Sequence, residues 1–98
     1  TPGDESAAEN LRHIAYYCWG APGFDAGNFP ATWYDGSAMD DDKYIALSHI
    51  ILADAASYEG GEAMHGCNSS FKNWAYQNVL GFNTAGELIN ENARKVLY

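Results

Sequence analysis

Residues 20–38 combine turn-forming and aromatic residues, and this combination constrains the fold more than any other feature of the chain. The segment contains four glycines and two prolines, which exclude a long helix or strand. It also contains Phe24, Phe29, Trp33 and Tyr34, whose large side chains favour burial. We therefore predict a long, ordered loop that folds over the neighbouring helices. Its four aromatic residues are the candidate binding residues.

Helical patterns lie on both sides of this loop. Residues 6–9, Ser-Ala-Ala-Glu, have the sequence of a capping box and predict the start of a first helix, which Gly20 and Pro22 end. The apolar face of that helix is formed by Leu11, Ile14, Ala15 and Cys18. Beyond the loop, aspartates 40–42 precede an apolar stretch that ends near residue 56. This predicts an acid-capped central helix that is buried over most of its circumference.

Two more helices are predicted in the second half of the chain. One spans Ser69–Leu80 and ends at Gly81. A second capping box at residues 84–87 begins the other. The apolar stripe of this last helix consists of Leu88 or Ile89, Ala93, Val96 and Leu97. The predicted fold is a single all-α domain over residues 1–98, with four helices and a long aromatic, glycine-rich loop between helices 1 and 2. Because Thr1 is not an initiator methionine, we expect a processed or excised piece of a longer protein.

The composition is acidic, with a formal net charge of −8 and a pI near 4.5. This charge argues against nucleic acid partners, which require a basic surface, and against an anionic membrane surface. No apolar run approaches the ~20 residues of a membrane span. The chain has seven tyrosines and three tryptophans against five lysines and arginines. We interpret this composition as that of an extracellular module that binds other proteins.

Cys18 is the first candidate for chemistry, since it lies between two aromatic residues at the end of the first helix. The helix dipole disfavours a thiolate there, which counts against a catalytic nucleophile. Cys18 and Cys67 are also candidates for a disulfide, which would make the chain a disulfide-stabilised structural spacer. Two inert thiols are the remaining interpretation.

His49 lies in the middle of the predicted central helix. A histidine in a buried helix is more often hydrogen-bonded to a core neighbour than catalytic. The alternative is a cysteine-dependent hydrolase or acyl transferase in which His49 activates Cys18. No nucleophile motif surrounds either cysteine, so we lean against an enzyme. The chain lacks the paired spacing of structural zinc ligands, and we expect neither a metal nor a cofactor.

Residues 11–23, Leu-Arg-His-Ile-Ala-Tyr-Tyr-Cys-Trp-Gly-Ala-Pro-Gly, resemble a motif of the thioester domains in surface adhesins of Gram-positive bacteria. In that family a Leu-Arg-Lys-like helix runs into a Tyr-Tyr-Gly-Tyr-Gly-Gly-Pro-Gly-like stop. Residues 46–54 are similar in placement to the family's Ala-Leu-Thr-Gln-x-Ala-like motif. The resemblance covers roughly residues 10–80 and concerns the helical part of the domain.

The resemblance implies a location and a chemistry. Tyr17-Cys18 and Tyr76-Gln77 are the counterparts of the residues that supply the thiol and the acyl group, so it implies a thioester between Cys18 and Gln77. Taken without the resemblance, Gln77 is a surface residue of the third helix. From the resemblance we expect an adhesion or protein-binding module that is excised from a larger protein of the surface or cell wall of a bacterium. Its expected partner is a host or matrix protein, without direct membrane insertion.

Overall fold

The computed structural model describes residues 2–56, 64, 66–81, 83 and 87–90. Within these ranges the protein is mostly α-helical and contains no extended strand. The helices are α1 (Pro2–Tyr16), α2 (Asp41–Ala56) and α3 (Ser69–Ala75), and α3 continues as one π-helical turn over Tyr76–Leu80. The segment between α1 and α2 holds one short 3-10 helix, Ala26–Asn28, and one isolated antiparallel bridge.

The start of α1 differs from its prediction. The helix begins at Pro2, so the predicted capping box at residues 6–9 lies inside the helix and does not begin it. Proline suits the first helical position, because its fixed φ is helical and the N–H that it lacks has no partner there. The predicted start was therefore wrong by about one helical turn.

The end of α1 buries Cys18, as its place on the apolar face predicts. The helix ends at Tyr16, and the Gly23 N–H donates to the Tyr16 carbonyl over 3.0 Å. Ile14 and Cys18 are both buried, whereas Ala15 is exposed. The inward face of α1 is thus narrower than predicted.

Asp40 caps α2, which confirms the predicted capping role for the first of the three aspartates 40–42. The Asp40 carboxylate accepts a hydrogen bond from the Lys43 N–H over 3.0 Å, and the Asp40 carbonyl accepts one from the Tyr44 N–H over 3.0 Å. Both bonds satisfy N–H groups that a helix start leaves without partners. The bounds of α2 therefore agree with the prediction.

The burial of α2 does not agree with the prediction. Leu47, Ser48, Ile50 and Ile51 are buried, but Ile45 is 44% exposed and His49 is exposed. A helix that is apolar around most of its circumference has no pattern that tells which side will be covered. In the described part of the chain, one side of α2 packs into the core and the opposite side is left to solvent.

Ser48 joins α1 to α2. Its Oγ accepts a hydrogen bond from the Trp19 N–H over 3.0 Å, and its side chain is also hydrogen-bonded to the Cys18 thiol. Ser48 is the one buried polar residue among those that the structure describes. Because a buried hydroxyl requires partners, these two bonds fix the end of α1 against the middle of α2.

The third helix occupies the range that the sequence predicts. The Asn68 side chain caps α3 by accepting from the Phe71 N–H over 2.7 Å. Gly81 ends the π-helical turn with a φ of 78°, and its N–H donates to the Tyr76 carbonyl five residues earlier. Glycine adopts this left-handed conformation without a Cβ penalty, which makes Gly81 an effective helix stop.

The predicted fourth helix is not confirmed. Its first predicted turn includes residues 87–90, and these are not helical. The Ile89 and Asn90 N–H groups both donate to the Gly81 carbonyl, over 2.8 and 3.1 Å. Residues 91–98, with the rest of the predicted apolar stripe, lie outside the described residues. No helix in the described part of the chain has the length and apolar character needed to cross a membrane.

We predict that Ser48→Ala destabilises the protein by about 1–3 kcal/mol, because it leaves the partly buried Trp19 N–H without an acceptor. The measurement is the free energy of unfolding in urea. Ser70→Ala is the matched control, since Ser70 is exposed on α3 and its loss should cost less than about 0.5 kcal/mol. Equal stability of the two variants would contradict the role assigned to Ser48.

Candidate binding cleft

An open cleft of about 790 Å³ lies between α2, the loop that precedes it and the start of α3. The loop contributes Trp33 and Tyr34 to its walls. Helix α2 contributes Ile45, Ala46, His49 and Ile50, and the α3 side contributes Gly66, Cys67, Asn68 and Phe71. Most of these side chains are apolar or aromatic, and the cleft's volume lies in the range of known ligand sites.

The α2 wall is a stripe of one helical face. Ile45 and Ala46 lie four and three residues before His49, so these three side chains share one face of the helix and line the cleft. Ile45 is exposed over 44% of its surface at the N-terminal end of this stripe. The wall is therefore mostly apolar and carries one imidazole.

The opposite wall is a packed aromatic cluster. The ring centroid of Phe71 lies 5.3 Å from that of Trp33 and 5.5 Å from that of Tyr34. Trp74 lies behind Trp33 at 5.5 Å. These separations are those of favourable tilted and edge-to-face aromatic pairs. Four rings in mutual contact leave each other little freedom, so this wall is formed before any ligand arrives.

A tight turn presents Trp33 and Tyr34 to the cleft. The Trp33 N–H donates to the Ser37 carbonyl over 2.9 Å, and the Gly36 N–H donates to the Trp33 carbonyl over 3.0 Å. Gly36 has a φ of 84°, which requires glycine. The Asp35 carboxylate accepts from the Ser37 hydroxyl over 2.6 Å and from its N–H over 3.0 Å, and these bonds lower the pKa of Asp35.

Lys43 braces the same turn from α2. Its ammonium donates to the Ser37 hydroxyl over 3.2 Å and to the Ala38 carbonyl over 2.9 Å. It also lies 3.5 Å from an Asp40 carboxylate oxygen and 6.0 Å from the Trp33 ring centre. These contacts occupy the Lys43 donors and fix the turn relative to α2.

Two of the four predicted binding residues line the cleft and two do not. Trp33 and Tyr34 are in its wall, whereas Phe24 and Phe29 pack against Tyr44 with ring centroids 5.2 and 5.7 Å from the tyrosine ring. Phe29 is buried. The loop aromatics therefore divide into a pair that anchors the loop to α2 and a pair that faces the cleft.

The structure places Cys18 and His49 in different surroundings. Cys18 is buried beside Ser48, and desolvation raises the pKa of its thiol although the Ser48 hydrogen bond acts in the opposite direction. The expectation that His49 is a core residue is wrong, because His49 is exposed on the uncovered side of α2. His49 shares the cleft with Cys67, which is also exposed. Both cysteines are free thiols in the structure.

Gln77 lies on the π-helical turn after α3 and is exposed, as the residue pattern alone predicts. Its backbone carbonyl accepts a hydrogen bond from the Asn90 side chain over 2.9 Å. His13 is exposed on α1, and His65 lies outside the described residues. Among the described side chains, no group of three or more histidines, cysteines and carboxylates is placed to hold a metal ion.

Asn68 and Ile45 line the cleft but are not among the predicted binding residues. The sequence could have identified Asn68 as a helix cap, because asparagine is a favourable capping residue and it stands directly before Ser69 and Ser70. It caps α3, and its amide also donates to the Tyr34 hydroxyl over 3.4 Å. Ile45 had no such signal, since it is one apolar residue among many on α2.

We predict that iodoacetamide alkylates Cys67 rapidly at neutral pH and Cys18 only when the protein is unfolded. Cys67 is exposed, whereas Cys18 is buried and its raised pKa keeps the thiol protonated. Intact mass followed by peptide mapping gives the order of modification, with Cys67→Ser as the control that isolates Cys18. Rapid modification of Cys18 in the folded protein would contradict its placement.

The geometry of the cleft is the basis for assigning a function. No protein-family model, curated protein or solved structure matches this chain.

Proposed function

We propose that this chain is a protein-binding module and that its cleft holds a segment of the partner protein. The observation that carries the proposal is the α2 wall, where Ile45 stays 44% exposed while facing a cluster of packed aromatic rings. A concave surface lined mainly by apolar and aromatic side chains, with a few polar groups among them, is typical of binding sites in proteins. Burial of Ile45 and of the ring faces by a partner supplies the favourable free energy of binding.

The shape of the cleft favours a segment of chain as the occupant. The cleft is open to solvent. From Ile45 to Ile50 the α2 wall rises roughly 7.5 Å, the length of about two extended residues. One apolar side chain of the partner fits over Ile45, between the helix and the rings, while its backbone stays at the surface.

The aromatic wall favours binding that is tight for a cleft of this size. Tryptophan and tyrosine dominate the energetic centres of protein interfaces. Trp33 and Tyr34 are held by Phe71 and by the turn at Gly36, so they lose little conformational entropy when a partner binds. The wall is thus formed in advance of the interaction.

The resemblance to thioester domains supports the setting of this function. We propose an adhesion module of an extracellular or cell-wall surface protein of a bacterium, with a host or matrix protein as the partner. The four-helix form of the fold, with a last helix carrying Ala93, Val96 and Leu97, remains part of the same proposal. Binding in the cleft does not require covalent chemistry, so a thioester is a separate question.

The Cys18–Gln77 thioester has its own test. Cys18 is buried beside Ser48 and Gln77 is exposed on the π-helical turn, so the link needs one of them to move from its place. A thioester forms with loss of one ammonia. Methylamine opens it by adding to the acyl group, which frees the Cys18 thiol and leaves Gln77 as an N-methyl amide, so the product is heavier than the unlinked chain by one CH2 group. Intact mass with and without methylamine decides the matter, and a disulfide would instead show two missing hydrogens that return on reduction.

The competing enzyme built on Cys18 and His49 has weaker support. A nucleophilic cysteine needs a lowered pKa and access to substrate. Burial raises the pKa of Cys18, its hydrogen-bond partner is Ser48, and His49 faces the cleft. The structural spacer with a Cys18–Cys67 disulfide would leave the exposed apolar wall without a role.

We predict that Ile45→Asp weakens binding of peptides selected on this protein by at least tenfold, since it places a carboxylate at the apolar centre of the cleft. Peptides from a random display library are selected on the immobilised wild-type protein, and their affinities are measured by surface plasmon resonance. The matched control is Ile89→Asp, because Ile89 is 48% exposed and does not line the cleft. Circular dichroism verifies that both variants fold.

Either of two results would contradict the proposed binding function. If the selected peptides bind wild type and Ile45→Asp equally, or lose affinity to Ile89→Asp by the same factor, the cleft is not the binding surface. Trp33→Ala provides a second variant in the opposite wall and should weaken the same peptides.

A further inference from the structure

We propose that the bond between Asp35 and Gly36 is a modification site, where the chain converts spontaneously to isoaspartate, and that Ser37 restrains this conversion in the folded protein. The inference is independent of the binding function proposed above. It is carried by the sequence of the turn, by its exposure and by the hydrogen bonds that hold the two reacting groups.

The sequence of the turn contains the reactive pair. Asp35 is the one aspartate or asparagine of the chain that a glycine follows. Glycine has no Cβ to shield its nitrogen from the neighbouring carboxyl group. Asp35, Gly36 and Ser37 are all exposed, and no described heavy atom beyond the chain neighbours lies within 4 Å of where a Cβ of Gly36 would stand. The pair is therefore open to water and is not shielded by the rest of the described chain.

The conversion is a cyclisation followed by hydrolysis. The Gly36 nitrogen attacks Cγ of the protonated Asp35 carboxyl group, so that an N–Cγ bond forms, and the N–H hydrogen leaves with the carboxyl hydroxyl as one water molecule. Solvent water then opens the cyclic imide. Opening at Cγ restores aspartate, whereas opening at the main-chain carbonyl carbon of Asp35 leaves Gly36 attached through the side chain, which is isoaspartate. The only reactant besides the chain is water.

The folded turn holds both reacting groups in place. Oδ1 of Asp35 accepts hydrogen bonds from the Ser37 N–H over 3.0 Å and from the Ser37 hydroxyl over 2.6 Å. The Gly36 N–H donates to the Trp33 carbonyl over 3.0 Å. Attack requires the nitrogen and Cγ to turn toward each other, and these bonds oppose that rotation. The Ser37 bonds also lower the pKa of Asp35, and an ionised carboxylate has no hydroxyl to lose.

The conversion would alter one wall of the cleft. Isoaspartate adds one carbon atom to the main chain between Asp35 and Gly36. The Trp33 N–H and the Ser37 carbonyl, which are bonded over 2.9 Å, lie on opposite sides of this insertion. The position of Trp33 in the cleft wall therefore depends on an unmodified Asp35.

Oxygen exchange measures the conversion. The protein is incubated in mildly acidic buffer prepared with ¹⁸O-labelled water, and fragmentation mass spectrometry of its peptides locates the label that imide hydrolysis leaves. We expect label at Asp35, part of it as isoaspartate, and faster uptake when guanidinium chloride unfolds the chain. Asp25 is the internal control, because it is exposed and accepts from the Gly27 N–H over 2.9 Å, yet alanine follows it. Asp25 should stay unlabelled over the same time.

A serine variant tests the restraint. Ser37→Ala should accelerate label uptake at Asp35 about fivefold, the factor that one hydrogen bond is worth in a rate. The conservative Ser37→Thr keeps the hydroxyl and should retain the wild-type rate. Ser70→Ala is the matched control, since Ser70 is an exposed serine outside the turn, and it should also leave the rate unchanged. Circular dichroism verifies that the three variants fold.

Different results contradict the two parts of the proposal. Uptake at Asp25 as fast as at Asp35, or no uptake at Asp35 in the unfolded chain, would overturn the modification site. Equal rates for Ser37→Ala and Ser70→Ala, or equal rates for the folded and unfolded wild type, would overturn the restraint by Ser37.

Discussion

The hydrogen bond from the Trp19 N–H to Ser48 is the constraint on which the rest of the structure depends. It fixes the end of α1 beside the middle of α2, roughly 10 Å from the start of α2 at Asp41. The intervening chain is far longer than this distance, so it must fold back over the helices. Glycine and proline prevent it from forming regular structure there, and its aromatic residues determine where it packs.

This packing produces the cleft. Phe24 and Phe29 pack the first part of the loop against Tyr44 on α2. Trp33 and Tyr34 pack against Phe71 of α3. The loop thus bridges the two helices at their edges and leaves one face of α2 uncovered between them. The proposed binding function is a consequence of this arrangement. The loop and the two helices complete the core, and they also form the edges of an apolar surface that the described chain does not cover.

Short-range sequence patterns predicted where helices end, whereas tertiary packing determined which face of α2 is buried. Asp40 and Gly81 mark helix ends by short-range hydrogen bonds, so the bounds of α2 and the end of the third helix followed from the sequence. Residues 87–90, at the end of the capping-box pattern and just beyond it, are not helical, and the Ile89 and Asn90 N–H groups donate to the Gly81 carbonyl. The exposure of His49 depends on which face of an almost uniformly apolar helix is covered, and no local pattern encodes that choice.

The most direct test of the binding cleft uses the three tryptophan indole signals in a ¹H–¹⁵N NMR spectrum. Trp33 lines the cleft, Trp74 lies behind it, and Trp19 donates its indole N–H to Asp41 outside the cleft lining. During titration with a selected peptide, the Trp33 signal should move with the fraction bound, while the Trp19 signal stays in place. Movement of Trp19 with an unchanged Trp33 signal would contradict the account.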